Sequence, residues 1–302
     1  MIGRALGSLR TNPVLRLELL NRVQGGSAVI FLTIWLGLLM GILALTYQAN
    51  VAISNDFGFE VTQLGRIGRS LFEWVLFGMT LLVLFLVPGL TAGTVTGERE
   101  RQTLVPLQMT LMRPSEIIVG KLAAALAFIL LLILAALPLL AVSVLVGGVR
   151  ALDVVRGVSM LAFVGLVLGG VCVWISSKMK RTMTATVVSY ATTLLFAIGS
   201  FVIMAVLAII DGVRGNDNVD PSAIPLIINP FAAIGDALPS SNDNFFNETV
   251  SPFGATRSAT RDLAGGLSGW LWVCNIVVGL ILLVIVIRRA TKAVTTPADT
   301  ER

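Results

Sequence analysis

The stretch from Pro88 to Lys121 carries the residues best suited to ionic chemistry. Two clusters of charged and polar residues lie there between two long apolar runs: Glu98, Arg99, Glu100 and Arg101, and then Arg113, Ser115 and Glu116. An isolated charge cluster of this kind is usually a solvated loop between two helices. Here the order is more specific: acid, arginine, acid, then Thr103, a short apolar segment and Pro114-Ser115-Glu116.

Few residues in the chain suit acid-base, metal or nucleotide chemistry. There is no histidine, the commonest metal ligand and general base near neutral pH. Cys172 and Cys274 lie inside apolar runs, where we expect packing roles. The pair Gly120-Lys121 does not form a P-loop, because it is followed by leucine instead of serine or threonine. The sequence therefore predicts a non-catalytic chain without a metal or cofactor of its own.

The elements that must position the charged cluster are strongly apolar. Of the 302 residues, 56% are hydrophobic and 13% charged, and the mean hydropathy is +0.90, outside the usual soluble range. A helix of about 20 residues crosses a hydrocarbon core of roughly 30 Å. Six charge-free stretches are long enough: 27–47, 74–97, 122–149, 157–177, 182–210 and 263–287. We therefore predict an all-α integral membrane protein with six transmembrane helices.

The basic residues predict the orientation of these helices. With the N-terminus inside, 15 of the 22 Lys and Arg residues fall on the inner side. The positive-inside rule then places both termini in the cytoplasm, in a multi-pass protein of the cell membrane. The charged cluster becomes the first cytoplasmic loop, on the side that contains ATP.

The remaining segments complete one transmembrane domain, residues 1–302. Residues 1–26 contain Asn12 and Pro13, which predict an interfacial helix, with a plain basic tail as the alternative. Helices one to five occupy 27–210, and the sixth occupies 263–287. The outer loop 211–262 contains Asn229 and Pro230, which predict a short helix on the outer leaflet. Residues 288–302 form a cytoplasmic tail.

Ionisable residues lie only at the edges of the six stretches, and Glu73 is the nearest. Carriers driven by protons or ions need such groups inside the membrane. Glu73 is interpreted as an interfacial carboxylate at a helix end, which argues against energy coupling within the membrane.

Two pairs of glycines have the spacing that lets transmembrane helices approach closely. They are Gly37 with Gly41, and Gly165 with Gly169. We expect each pair to pack within the chain, with a dimer contact as the alternative.

The charged stretch resembles the first cytoplasmic loop in permease subunits of type-2 ABC exporters. That loop typically reads E-R-E-x-G-T-L, then a few apolar residues, T-P-L-S and E-I-x-x-G-K. The matching residues here are Glu98, Arg99, Glu100, Thr103, Leu104, Thr110, Glu116, Ile117, Gly120 and Lys121. The chain departs from the pattern at Gln102, where glycine is usual, and at Leu111, where proline is common. The six helices, Asn12-Pro13 and Asn229-Pro230 are also similar to the family.

The resemblance implies a coupling helix in the loop 97–116, under which separate ATPase subunits carrying ATP and Mg²⁺ would dock. The implied coupling residues are Glu98, Arg99, Glu100, Arg101, Thr103, Leu104, Glu116, Gly120 and Lys121. A second permease subunit, identical or homologous, would complete an export pathway through the membrane lipid. No nucleic-acid partner is expected. Pro106 should end the coupling helix near Val105 or start a new one.

Two other functions stay open at this point. One is an ABC-type signalling or mechanotransmission complex that transports nothing, and the other is a secondary carrier or channel. The sparse polar residues of the apolar stretches are the candidates for a substrate pathway: Ser189, Tyr190, Thr192, Thr193 and Asn275. Such a pathway suits lipids, amphipathic drugs or peptides.

Overall fold

The computed structural model describes residues 26–55, 61–102, 114–200, 202–203, 206, 229–238 and 271–295, and none of these is in a strand. In chain order the helices of these ranges are α1 (Gly26–Asn55), α2 (Val61–Thr91), α3 (Thr96–Glu100), α4 (Pro114–Val146), α5 (Ala151–Lys178), α6 (Thr182–Leu194), α7 (Pro230–Ala237) and α8 (Leu271–Thr295). A π-helical segment, Leu195–Gly199, extends α6.

In the described part of the chain, six helical elements are long and apolar enough to cross a membrane: α1, α2 with α3, α4, α5, α6 with its π-helical extension, and α8. For these residues the prediction of an all-helical protein with six such elements is confirmed. Each of them overlaps one of the six charge-free stretches, so hydropathy alone located the framework.

The start of α2 differs from the sequence-based expectation. The helix begins at Val61 and not at Trp74, where the charge-free run starts. Its added turns hold Arg69 and Glu73, whose side chains form an i,i+4 ion pair with 3.2 Å between Nε and Oε1. Glu73 is only 1% exposed. This carboxylate is therefore buried between helices and does not face the surface at a helix end.

Successive spanning elements run in opposite directions. Asn50 near the end of α1 donates a hydrogen bond to Ser70 near the start of α2, with 3.2 Å between the atoms. Ala290 near the end of α8 packs in one cluster with Val95, just before α3. The bundle thus has an α3 end, which also holds the start of α1 and the end of α8, and an opposite end that holds α7, called the α7 end below.

The centre of the bundle is formed by α2 and α5. Leu76 and Met79 of α2 and Leu161 of α5 are fully buried. By contrast, α1, α6 and α8 each expose a broad apolar face. Such contiguous apolar surface is unusual for a protein in water and normal for helices that face lipid. The chain therefore has the surface of a multi-pass membrane protein.

The short helix α7 lies within the bundle. The Asn229 side chain caps it by accepting from the N–H groups of Phe231 (2.7 Å) and Ala232 (3.1 Å). Ile234 is completely buried, and α7 packs against α2, α5 and α8. A helix on the outer leaflet would have left one face open, so the prediction of a surface helix is corrected to a buried one.

Several predictions concern residues outside the described ranges. These are the interfacial helix with Asn12 and Pro13, the coupling residues Thr103 and Leu104, the break at Pro106, most of the loop 211–262 and the last residues of the tail. They stay predictions.

Candidate functional site: the charged cluster at the α3 end

A tight turn carries the chain from α2 into α3. Thr94 donates its hydroxyl to the carbonyl of Thr91 (2.7 Å), and the N–H of Gly97 donates to the carbonyl of Gly93 (2.9 Å). A Cβ atom on Gly93 would lie 3.3 Å from the Thr182 side chain, so this turn packs closely on the start of α6. The first glutamate of the charged triad, Glu98, follows one residue after Gly97.

The start of α3 is held by a side chain from another helix. The N–H groups of Val95 and Thr96 both donate to the hydroxyl oxygen of Ser176 in α5, over 3.1 and 3.2 Å. The first N–H groups of a helix have no partner within it, and Ser176 supplies one from outside. Ser176 is completely buried. Nothing in its local sequence marks it, because the contact links residues about 80 positions apart.

Arg99 closes the end of α5. Its guanidinium donates to the carbonyl of Met179 (2.9 Å) and to the carbonyl of Ser177 (3.2 Å). The last carbonyls of a helix lack partners inside the helix, and a cation there also opposes the negative end of the helix dipole. One arginine thus ties α3 to the C-terminus of α5.

Glu100 closes the start of α6 in the complementary way. One carboxylate oxygen accepts from the N–H of Thr182 and the other from its hydroxyl, each over 2.7 Å. A carboxylate at a helix N-terminus satisfies free N–H groups and complements the positive end of the dipole. Both oxygens are engaged while Glu100 itself is exposed. The ionised form is therefore the one that this contact stabilises.

Glu98 connects α3 to α4 through Lys121. Their Oε1 and Nζ atoms are 2.7 Å apart, and the Lys121 side chain is only 5% exposed. A buried ammonium group is strongly unfavourable unless it is paired, and this carboxylate supplies a paired charge. Gly120, the neighbour of Lys121, is buried as well.

The three triad residues therefore contact three different elements. Successive residues of a helix project about 100° apart, because 3.6 residues make a turn. Glu98, Arg99 and Glu100 accordingly reach α4, the end of α5 and the start of α6. The alternation of charge matches the partner on each side: a lysine, helix carbonyls and helix N–H groups. The cluster is a structural junction and not a loosely solvated loop.

Outside the junction, this end of the bundle presents an exposed surface that is mainly basic. Its exposed basic residues are Arg101, Lys178, Lys180, Arg181, Arg288, Arg289 and Lys292, and Glu116 is half-buried beside them. Lys178 lies over the ring of Trp174, 4.7 Å from its centroid. Of the 13 Lys and Arg residues in the described ranges, nine lie at the α3 end and four at the α7 end.

The residue after the triad adopts an unusual backbone conformation. Gln102 has a φ of +57°, in the left-handed region where glycine is the usual residue. It follows the last turn of α3, and its N–H donates to the carbonyl of Arg99 over 3.2 Å. This is the position at which the resembling loop pattern has glycine. The conformation gives a physical reason for that glycine, and Gln102 meets the same requirement with strain.

The five polar candidates for a substrate pathway lie on two helices, four of them on α6 and Asn275 on α8. Ser189 and Thr193 are buried on the inner face of α6, and the Thr193 hydroxyl donates to the carbonyl of Ser189 over 2.9 Å. Tyr190 is half-buried, with its ring 5.4 Å from that of Phe85. The Thr192 hydroxyl donates within α6 over 2.7 Å. Asn275 lines a cavity between α5 and α8.

Among the described residues, the buried Ser189 hydroxyl has no nitrogen or oxygen hydrogen-bond partner, which is rare for a buried polar group. In the same part of the chain, no three Cys, Asp or Glu side chains form a group that could hold a metal ion.

Neither the models of known protein families nor the curated proteins include a match to this chain.

Proposed function

We propose that this chain is the membrane subunit of an ABC exporter and that the α3 end is where its ATPase partner docks. The observation that carries the proposal is the junction of Glu98, Arg99 and Glu100, which joins α3 to α4, α5 and α6. A partner that displaced α3 would act on all of these helices together, and α2 leads directly into α3.

The charge distribution supports this orientation. The α3 end carries most of the described basic residues, and by the positive-inside rule such an end faces the cytoplasm, where ATP is available. ATP and Mg²⁺ would bind to separate ATPase subunits. Exposed charged residues such as Arg101 and Arg181 would orient these subunits and keep the surface soluble when they are absent.

A second permease subunit would pack on the outer helices. Gly165 and Gly169 already approach α2 and α4, since a Cβ on Gly169 would lie 3.1 Å from a Leu122 methyl group. Among the described residues, a Cβ on Gly37 or Gly41 would meet nothing within 4 Å, and both glycines are exposed on α1. Gly37 and Gly41 are therefore the pair that a helix of a second subunit could pack against. In the proposed cycle, ATP-driven closure tilts α1, α2 and α6 and exposes the central pathway to the outer side.

The proposal is tested by tagging the C-terminus, extracting the protein from native membranes in mild detergent, and measuring co-purified ATPase and export. Glu100→Ala removes both hydrogen bonds to Thr182, whereas Thr182→Ala removes the bond from the hydroxyl and keeps the bond from the backbone N–H. We expect Glu100→Ala to lower export per ATP hydrolysed at least several-fold, because motion of α3 no longer reaches α6, and Thr182→Ala to lower it less. Thr184→Ala is the matched control, since its hydroxyl bonds only within its own turn over 2.9 Å.

If both contact variants export at the wild-type rate, the junction does not transmit force and the mechanism is wrong. A chain that purifies without any ATPase, under conditions that preserve other complexes, contradicts the whole proposal. An ATPase that co-purifies without any exported substrate would favour a signalling or mechanotransmission complex.

One observation supports a second candidate, a secondary carrier. Glu73 is 1% exposed inside a membrane-spanning helix, and Asp153, 7% exposed, lines the same small cavity. Buried carboxylates are what proton- or ion-driven carriers use. Arg69 pairs with Glu73, however, and this pair satisfies the charge without a transported ion. Export that persists in Glu73→Gln but collapses without ATP would exclude this candidate.

A further inference from the structure

Two cavities follow one another along the contact between α5 and α8. The larger, about 370 Å³, lies at the α7 end and is lined by Arg156, Ser159, Met160, Phe163, Ala237, Leu238, Trp272 and Ile276. The smaller, about 50 Å³, lies deeper along the same two helices, and its α5 wall is Val164, Val167, Leu168 and Val171. They share a boundary at Phe163, which lines the larger cavity, and Gly279, which lines the smaller.

The chemistry of the walls changes with depth. Arg156 and Ser159 are exposed at the outer opening, and Trp272 stands across from them on α8. Tryptophan and arginine are typical of the membrane interface, where one side of the residue is wet and the other apolar. In the smaller cavity, Asn275 is the one polar side chain among the lining residues. A cationic, wet opening thus leads into an apolar slot.

We propose that this path binds one anionic phospholipid, with its phosphate at Arg156 and an acyl chain in the slot between α5 and α8. Arg156 is exposed, and among the side chains that the structure describes no carboxylate forms an ion pair with it. A guanidinium forms two parallel hydrogen bonds with a phosphate, which suits an arginine at this position to a lipid headgroup.

The dimensions fit a lipid chain. From Arg156 to Val171 the rise along α5 is about 22 Å, which leads from the interface to beyond the middle of a core roughly 30 Å thick. The slot has room for about four groups of water size, enough for a few methylene groups but not for a ring system.

Gly279 lies at the boundary between the two cavities and lets α5 and α8 pack closely there. A Cβ atom on Gly279 would lie 2.8 Å from a Phe163 ring carbon and 3.1 Å from a Val167 methyl group. The missing side chain lets α8 approach α5 at this level while the slot stays open below it. The site lies apart from the charged junction at the α3 end, so it does not depend on the proposed export function.

The test uses the full chain in phosphatidylcholine vesicles that contain a trace of phosphatidylglycerol with a photoactivatable group in one acyl chain. We expect labelling on the α5 and α8 peptides that line the slot, and competition by unlabelled phosphatidylglycerol. Arg156→Gln should weaken labelling about fivefold, the effect of one basic residue on an anionic lipid, and Arg156→Lys should weaken it less, because lysine keeps the charge but not the two parallel hydrogen bonds. Arg150→Gln, an exposed arginine at the same end, is the control.

The slot is tested by filling it. Val278→Phe and Leu282→Phe place a ring in the cavity and should abolish labelling. Val277→Phe, at a neighbouring position that is 50% exposed and lines neither cavity, should leave it intact. Equal labelling in the Val277 and Val278 variants, or labelling spread evenly over α1 and α6, overturns the proposal. A phosphatidylcholine probe that labels as strongly as the anionic one, and is indifferent to Arg156→Gln, overturns the headgroup assignment.

Discussion

The two ends of the bundle are held together by different chemistry. At the α7 end the contacts are buried and compact: Asn229 is fully buried, and a Cβ on Gly148 would overlap the Gly65 carbonyl. At the α3 end, charged side chains reach from α3 to other helices, and Arg99 and Glu100 do so at least partly in contact with water. Water and a partner's charges can compete for the charged contacts at the α3 end, but not for the buried contacts at the α7 end.

This difference assigns a role to each end. Gly148 has a φ of +81°, so both its backbone and its lack of a side chain fix the turn between α4 and α5. At the α3 end, three links made by charged side chains join α3 to its neighbours, one ion pair and two sets of hydrogen bonds, and a docked protein could bias them. We infer that the α7 end stays fixed when the helices move and acts as the pivot. The α3 end moves with a docked partner and acts as the lever.

The largest effect on stability is expected at the pivot. Asn229→Ala removes bonds to Phe231, Ala232, Ala197 and Ser200 and leaves buried groups without partners. We expect a loss of about 3 kcal/mol or more in the free energy of unfolding, measured by detergent titration in mixed micelles. Ser159→Ala, whose hydroxyl bonds within its own helix, should change it by less than about 0.5 kcal/mol. Similar values for the two variants would remove the basis for calling the α7 end fixed.

At the lever, breaking the link between α3 and α4 comes next. Glu98→Ala leaves Lys121 buried without this carboxylate and should cost about 2–3 kcal/mol by the same measurement. Glu98 is about a quarter exposed, which puts the effect below that of a fully buried pair. The double variant Glu98→Ala with Lys121→Met should recover most of the loss, because a buried apolar side chain needs no partner. Additive losses in the double variant would mean that the two residues act independently.

The smallest effect concerns the strained residue after the triad. Gln102→Gly should stabilise the protein by about 0.5–1 kcal/mol, because glycine adopts a φ of +57° without a steric penalty. The matched change Arg101→Gly, at a φ of −81°, should destabilise it, since glycine there only adds freedom to the unfolded chain. Destabilisation by Gln102→Gly would show that its side chain contributes more than its backbone conformation costs.

Hydropathy was sufficient to predict the six spanning helices, because lipid requires about 20 apolar residues wherever a helix crosses. Hydropathy failed at the start of α2, because the charged residues Arg69 and Glu73 were taken to lie outside the helix. They lie inside it, where they form an i,i+4 ion pair. The sequence-based prediction also placed α7 on the surface, because an N-cap signal predicts where a helix begins and not how deeply it is buried. In each case a contact across or along helices outweighed the local pattern.

The charged triad was evident from residue types, but its partners were not. Ser176 and Thr182 are ordinary residues in their own helices and lie about 80 positions from the residues that they contact. Only the packing of α3 against the ends of α5 and α6 reveals them. The polar candidates on α6 and α8 were selected by type alone, and the fold places them on two helices that both pack against α5.

The most direct test of the α3 end as a docking site is photo-crosslinking from one position at each end. A photoreactive phenylalanine derivative replaces exposed Arg101 in one variant and exposed Leu152, at the α7 end, in another. After irradiation of native membranes, we expect Arg101 to yield a covalent adduct with an ATP-binding subunit and Leu152 to yield none. No such adduct from Arg101, in membranes where the protein is folded and its other contacts are preserved, would contradict the central claim.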